Sequence, residues 1–434
     1  MKDRHVVVLS VDAMVYEDLE ILSKLYAFEE IWPETARVNK VKSVYPTITY
    51  PCHSTMRTGL YPDRHGILNN EADPENLPNS GLWMHFHESM KGKSIFEYAK
   101  ENGLTTAAVC WPVTGNDPNI DYQVCEYWPQ FDESTVQCFK DSGSTDEVIE
   151  KIVKPNQKFI ENRHRQHPYC DEFFMQCACD MLREFKPNLL MIHNGNVDAY
   201  RHETGLFTTK VETGLYENNL WLCHLLKAAE DAGIRDNTDF FIVSDHGQLD
   251  ITRCVNLNVL LAERGLIDVD ENGKIRDCVA YSKSGGLSAL IYLKNRDNVE
   301  DYEKTKAVLE ELKAEEIYGI GDLFTEEEAR TKHRLGGNFS FVIETDGFTT
   351  FGNEWTRPLA RPLDNSDYRV GHATHGHLPE KGPQPTLIAF GPHIKPGVVL
   401  ENANLVDEAP TFAHALGFEM EDVDGRCLAE LFKE

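Results

Sequence analysis

The sequence predicts an α/β protein with a mostly parallel central sheet, helices on both of its faces, and a small inserted α/β lobe. Two patterns carry that expectation. Short apolar runs recur at 6–12 (VVVLSVD), 105–111 (TTAAVCW), 188–198 (NLLMIHNGNVD), 239–247 (DFFIVSDHG) and 386–392 (TLIAFGP). Because these runs are continuous and not alternating, they read as strands covered on both sides. Helix-like segments fall between them, SIFEYAKENG at 94–103 and YENNLWLCHLLKAAEDAG at 216–233, which is the alternation of an open α/β sandwich.

The stretch from 255 to 370 has a different texture. SALIYLK (288–294), the charged helical NVEDYEKTKAVLEELKAEE (298–316) and FSFVIET (339–345) suggest a small lobe. The expected division is a core of residues 1–254 and 371–434 with an insert at 255–370.

Formal charge over the 434 residues is 43 − 71 = −28. This argues against a polyanionic partner such as nucleic acid, and against an anionic membrane surface. A small anionic substrate stays compatible, because a bound metal reverses the field inside a cleft. The N-terminal MKDRHVVVLSVDAM has too short an apolar run for a signal peptide or an anchor. Eleven scattered cysteines without a CxxC pair read as reduced thiols. A cytoplasmic protein is expected; its oligomeric state is not legible.

Ligands of open α/β sheets gather beyond the carboxyl ends of the strands. Asp12, Asp198 and the pair Asp245–His246 lie at three such ends. Asp198 and His202 are four apart, on one side of a helical turn at a separation suited to one ion. His375 sits in GHATHGHLP, just ahead of the last apolar run, with His372 and His377 as its competitors. Three aspartates and three histidines make a mixed oxygen and nitrogen set that suits zinc and accepts manganese or iron. His53, His65, His85 and His87 have no carboxylate at ligand spacing and read as structural.

The stretch TITYPCHSTMRTGLYPDRHGILNN, Thr47 to Asn70, offers several hydroxyls. Pro51 suits the first position of a helix that would run through CHSTMRT and stop at Gly59. Ser54, Thr55 and Thr58 then lie inside that helix, where they pack or bond back to carbonyls. Thr47 and Thr49 precede it, and Thr49 is nearer the helix's free N–H groups and positive dipole end. An alcohol needs activation; with no Ser-His-Asp arrangement, a metal ion is the economical activator.

These residues resemble the alkaline phosphatase superfamily, and within it the nucleotide pyrophosphatase/phosphodiesterase branch. The likeness runs in order through the strand ending at Asp12, PTITYPCHSTMRTGLYPDRHGILNN, CWP at 110–112, D-x3-H at 198–202, SDHG at 244–247, THG at 374–376 and the tail DEAPTFAHALGFEMEDVDGRCLAELF. It implies an alkaline-phosphatase-like sandwich and a two-zinc site. Asp198, His202 and His375 would hold one ion, and Asp12, Asp245 and His246 the other, with Thr49 as its additional ligand and as nucleophile. Asn70 would donate to a phosphoryl oxygen. Where the family commonly has aromatic-Pro-Asn-His, this chain has Tyr50-Pro51-Cys52-His53; Tyr50 would stack on a base or pack in the core.

The activity so implied is hydrolysis of phosphate diesters or nucleotide pyrophosphates through a covalent phosphothreonine. The closest alternative is phosphonate hydrolysis of the phosphonoacetate type, which would draft Lys42, Arg57, Arg64 or Arg201 to hold a carboxylate. A phosphomonoesterase, or a non-catalytic binding protein, is further off.

Overall fold

The run HVVVLSV forms β1 (His5–Val11), every residue of which is buried. Its side chains alternate between two separate hydrophobic clusters: Val7, Leu9 and Val11 join one, while Val6 and Val8 join the other. This explains the unbroken apolar run, since both faces of the strand are roofed. In the computed structural model, which describes residues 3–72, 82–130 and 132–433, β1 lies inside an eight-stranded sheet.

The other strands are β2 (Ala36–Lys42), β3 (Thr106–Val109), β4 (Tyr122–Val124), β5 (Leu189–Asn194) and β6 (Thr238–Val243). A second sheet then contributes β7 (Ala280–Ser284), β8 (Ser288–Leu293), β9 (Ile320–Thr325) and β10 (Phe341–Thr345). The chain returns with β11 (Leu387–Phe390) and β12 (Val399–Asn404). The order across the large sheet is β12-β2-β11-β6-β1-β5-β3-β4.

The helices that matter here are α1 (Thr49–Thr58), α2 (Ile95–Glu101), α3 (Tyr169–Phe185), α4 (Asn196–Thr204), α5 (Thr209–Asp231), α6 (Val299–Ala314) and α7 (Glu408–Leu416). Helices α3 and α5 pack on one face through residues such as Phe173, Met181, Leu215 and Leu222. Helices α1, α2 and α7 cover the other through Cys52, Met56, Phe96 and Phe412. The expected α/β class, mostly parallel with helices on both faces, is what the structure has.

One strand departs from the parallel run. β11 is antiparallel to both β6 and β2. Its chain therefore enters from the edge where β1, β5 and β6 end, and this brings the loop before it, with His375, to the same edge as Asp12, Asp198 and Asp245. Strands β2, β4 and β12 carried no continuous apolar signal. β12 and β4 are the sheet's edges, and ARVNKVK of β2 alternates buried and partly exposed positions.

The second sheet is antiparallel, in the order β7-β8-β10-β9, and α6 contributes Leu309 and Leu312 to its hydrophobic cluster. Tyr45, Leu68 and Leu378 join that cluster from outside 255–370. We keep 255–370 as the proposed extent of a lobe; strand Arg253–Asn256, paired in parallel with Thr349–Gly352, straddles its first boundary. Among the described residues no helix is long and apolar enough to cross a membrane, and the eleven cysteines are all unpaired.

Glu344 of β10 ties the second sheet to the His375 loop. Its fully buried carboxylate accepts from the Tyr45 hydroxyl at 3.0 Å, the Leu378 N–H at 3.1 Å and the Lys381 ammonium at 2.8 Å. Burial pushes its pKa up to about 7 despite Lys381. Glu344→Ala strands those donors and is expected to cost about 3 kcal/mol in denaturant unfolding. With a folded pKa raised from 4.5 to about 7, the group's contribution is full below 4.5 and is lost as pH rises through 7. Wild-type stability should therefore fall relative to Glu344→Gln across that window; a constant difference would refute the assignment.

Candidate active site

Helix α1 opens at Thr49, two residues before the expected start, and ends at Gly59 with φ 68°. Pro51 is its third residue, tolerated because first-turn positions need no intrahelical N–H donor. That places Thr49 at the helix's first position, only 7 % exposed and on the wall of a cavity of about 750 Å³.

The other hydroxyls are committed elsewhere or enclosed. Thr47 donates to the His377 carbonyl at 2.9 Å, Thr55 pairs with His65 at 3.1 Å, and Thr58 donates to the Ser54 carbonyl at 2.7 Å. The Ser54 hydroxyl is buried without a partner and lies off the cavity wall. The helix offers fewer free donors than expected: the Tyr50 N–H donates to Asn70 Oδ1 at 2.9 Å, Pro51 has none, and the Cys52 N–H donates to the Ile48 carbonyl at 3.0 Å. Asn70, whose carbonyl oxygen is thus held, lines the cavity beside Thr49.

The six candidate ligands come together as two groups. Asp198, His202 and His375 form one, and Asp12, Asp245 and His246 the other, each with ligand atoms within 4.8 Å of one another. Asp12 follows β1, Asp245 and His246 follow β6, and Asp198 and His202 stand on α4 just after β5. The groups adjoin: the His375 ring is 5.1 Å from that of His202 and 4.3 Å from that of His246. Thr49 Oγ1 lies 3.3 Å from His246 Nε2.

Neighbouring bonds orient these side chains. His202 Nδ1–H donates to the Ala373 carbonyl at 2.7 Å, which leaves Nε2 as the coordinating atom. Gln248 donates to Asp198 Oδ1 at 2.5 Å, and the Ala13 N–H donates to Asp245 Oδ1 at 3.2 Å. Gly376, beside His375, has φ 100°, and a Cβ there would stand 2.0 Å from the Gly285 carbonyl oxygen. Only glycine fits. His377 instead hydrogen-bonds the Leu378 carbonyl, and His372 is exposed.

The residues fit divalent cations. Asp12 Oδ1, Asp245 Oδ2 and His202 Nε2 are buried without hydrogen-bond partners, although buried polar atoms are almost always satisfied. His202 Nε2 is 3.0 Å from Asp198 Oδ2, yet off the line of a hydrogen bond, as two donors aimed at a shared point would be. Burial and then the Asp198 charge push Asp12 well above the usual carboxylate range; burial and Asp12 do the same to Asp245. Burial holds His246 and His375 well below the ordinary histidine value, with neighbouring histidines adding to it. Burial opposes charge on both Asp198 and His202, but their mutual attraction outweighs it: Asp198 is lowered and His202 raised.

Tyr50 and the four cations named for a carboxylate all lie off the cavity wall. Tyr50 is fully buried, its hydroxyl 3.1 Å from His85 Nδ1 and its ring edge-on to Trp83 at 5.4 Å. It packs in the interior and does not line the cavity, whose aromatic wall is Trp83, Tyr127, Trp128 and Tyr368. None of the four candidate cations faces the cavity either. Lys42 pairs with Glu380 at 2.5 Å, Arg57 with Asp117 at 2.8 Å, Arg64 with Asp422 at 2.8 Å and Arg201 with Asp18 at 2.5 Å. The cavity cations are Arg165 and Arg369. Sequence reasoning also missed His193, whose Nε2 is 3.1 Å from Asp12 Oδ2; its place at the end of a buried strand, two residues past Met191, was the available signal.

The chain can now be set beside known proteins. Residues 6–357 match the family model described as type I phosphodiesterase / nucleotide pyrophosphatase. An ectonucleotide pyrophosphatase/phosphodiesterase 1 of Saccharomyces cerevisiae is 26 % identical over 62 % of this chain and 35 % of its own length. A Caenorhabditis elegans relative named for the same activity is 25 % identical over 60 % of this chain and 31 % of its own length. The chain thus spans about a third of these curated relatives. Among solved structures, murine ectonucleotide pyrophosphatase / phosphodiesterase 5, as an inactive variant in complex with AMP, superposes with a TM-score of 0.66 at 18 % identity, covering 99 % of this chain and 100 % of that one. The human counterpart gives 0.67 at 17 %, again over 99 % and 100 %. At that identity the likeness speaks for the fold, and the extent of the family match decides the affiliation: this chain belongs to the type I phosphodiesterase / nucleotide pyrophosphatase family.

Proposed function

We propose that this chain hydrolyses phosphate diesters or nucleotide pyrophosphates, with Thr49 as nucleophile beside two zinc ions. The observation that carries the reading is the position of Thr49 Oγ1, 3.3 Å from His246 Nε2, as the one hydroxyl of its stretch on the cavity wall. Asp198, His202 and His375 would hold one ion; Asp12, Asp245 and His246, with Thr49, the other. When bound, such ions supply Lewis acidity and lower the pKa of a coordinated alcohol or water.

The chain's own residues would do the rest. Thr49 Oγ1 attacks phosphorus and the leaving oxygen departs in line, giving a phosphothreonine that water then hydrolyses. Asn70 donates its side-chain NH2 to a non-bridging oxygen, and its carbonyl is pinned by the Tyr50 N–H at 2.9 Å so that it need not reorient. A cavity of about 750 Å³ is in the range of small-molecule sites, with room for a nucleotide. The AMP seen in the murine neighbour agrees with a nucleotide substrate. Phosphonoacetate hydrolysis has less support, because the cations it would draft are paired outside the cavity. The cytoplasmic location remains part of the proposal, supported by unpaired cysteines.

The test is hydrolysis of the nitrophenyl ester of thymidine monophosphate, with a nitrophenyl monoester and phosphonoacetate beside it. Thr49→Ala and chelation should each lower diester turnover by about 10³-fold or more, with zinc restoring only the chelated wild type. Turnover indifferent to Thr49, or confined to phosphonoacetate, would overturn the reading. Asn70→Ala should lower kcat about 10²-fold and leave KM nearly unchanged, as loss of a transition-state donor does; a change in KM alone would assign Asn70 to ground-state binding.

A further inference from the structure

We propose that His167, Cys170 and Asp171 form a further metal site on the wall of the same cavity, taking zinc or a similarly thiophilic divalent ion. These residues share nothing with the six ligands above. His167 lies on the loop before α3, and Cys170 and Asp171 in its first turn. All three line the cavity, and each offers a ligand atom within 4.8 Å of the other two.

The distances suit an ion. Zinc bonds of about 2.3 Å to sulfur and about 2.0 Å to nitrogen and oxygen, at tetrahedral angles, set the donors about 3.5 Å apart for S···N and S···O and about 3.3 Å apart for N···O. Here Cys170 Sγ is 3.5 Å from His167 Nδ1 and 3.7 Å from Asp171 Oδ2. The His167 Nδ1 to Asp171 Oδ2 separation is 2.6 Å, a hydrogen bond that a small rotation of the partly exposed imidazole would open to coordination distance. Hydrogen bonds within the trio account for these contacts without an ion; what coordination adds is a use for a buried thiol within reach of both partners, at 3.5 and 3.7 Å, on a cavity wall.

Charge and support agree. A thiolate and a carboxylate neutralise one divalent ion, and the imidazole binds as its neutral form. Asp171 Oδ1 accepts from the Gly195 N–H at 2.9 Å, which fixes the carboxylate as outer-shell bonds do in metal sites. Protein supplies three donors, so the fourth position faces the cavity, open to water or to an anionic oxygen of a substrate.

The decisive experiment is a cobalt(II) chloride titration of the full chain after chelation, followed in the near ultraviolet. A thiolate-to-cobalt charge-transfer band should grow to saturation, disappear in Cys170→Ser, and persist in Cys110→Ser, whose thiol also borders the cavity. His167→Ala should weaken the cobalt affinity of the band by more than about tenfold, since outer-shell partners alone are worth that much. No band in the wild type, or one that survives Cys170→Ser, overturns the proposal. The wild-type titration needs no variant to fold. The six ligands proposed for the catalytic ions contain no sulfur, so failure here leaves that reading standing, and loss of that reading leaves this band in place.

Discussion

Three carboxylates and three imidazoles crowd one edge of a sheet, most of them buried, and the rest of the molecule is arranged around that concentration of charge. Asp12 and Asp245 cannot both be comfortable anions there: burial, and then the Asp198 charge, push Asp12 upward, while burial and then Asp12 push Asp245 upward. Taking one charge out of water already costs several kcal/mol after relaxation, roughly the net stability of many domains. The arrangement survives in part because bonds from outside hold several of the groups. Arg201 is instructive. It stands on α4 between two ligands, yet its guanidinium turns away from them to hold the Ala13 carbonyl at 3.2 Å and Asp18 at 2.5 Å. It braces the segment that follows Asp12.

The topology answers the same requirement. Strands β1, β5 and β6 end side by side and deliver five of the six candidate ligands directly. The sixth has to come from elsewhere in the chain, and an antiparallel β11 is the economical way to bring it. A parallel strand would have carried the His375 loop to the far edge of the sheet. Gly376 then lets the loop pass against Gly285, and Glu344 fastens its far end to the second sheet. The second sheet therefore contributes no ligand but does hold one in position.

Much of this was legible in the sequence, for physical reasons. A strand roofed on both faces must be apolar throughout, so β1, β5 and β6 announced themselves, and the polar residues at their ends stood out. The hydroxyl at position 49 could be singled out because a proline in the first turn and a glycine at the end mark the helix. Other features left no such mark. Edge strands β4 and β12 have little to bury. The direction of β11 depends on pairing far along the chain. Tyr50 could be read as a base-stacking ring or as a core aromatic, and which one it is depends on Trp83 and His85, more than thirty residues away. Arg165 lies in an irregular segment, where no period exists to place a side chain.

The segment 193–202 carries more of the site than any comparable length of chain. His193 touches Asp12, the Gly195 N–H holds Asp171, and Asp198 and His202 belong to the other ligand group. Three clusters of potential ligands are thus connected through ten residues that pass from the end of a buried strand into one short helix. Gly195 is the tight point, since a Cβ there would meet His167 Cε1 at 3.1 Å. Any displacement of this strand-to-helix turn moves all three clusters together, whereas a change at His375 or His167 moves only one. The turn at residues 193–202 is thus a shared support for all three clusters, beside the direct contact between the His246 and His375 rings at 4.3 Å.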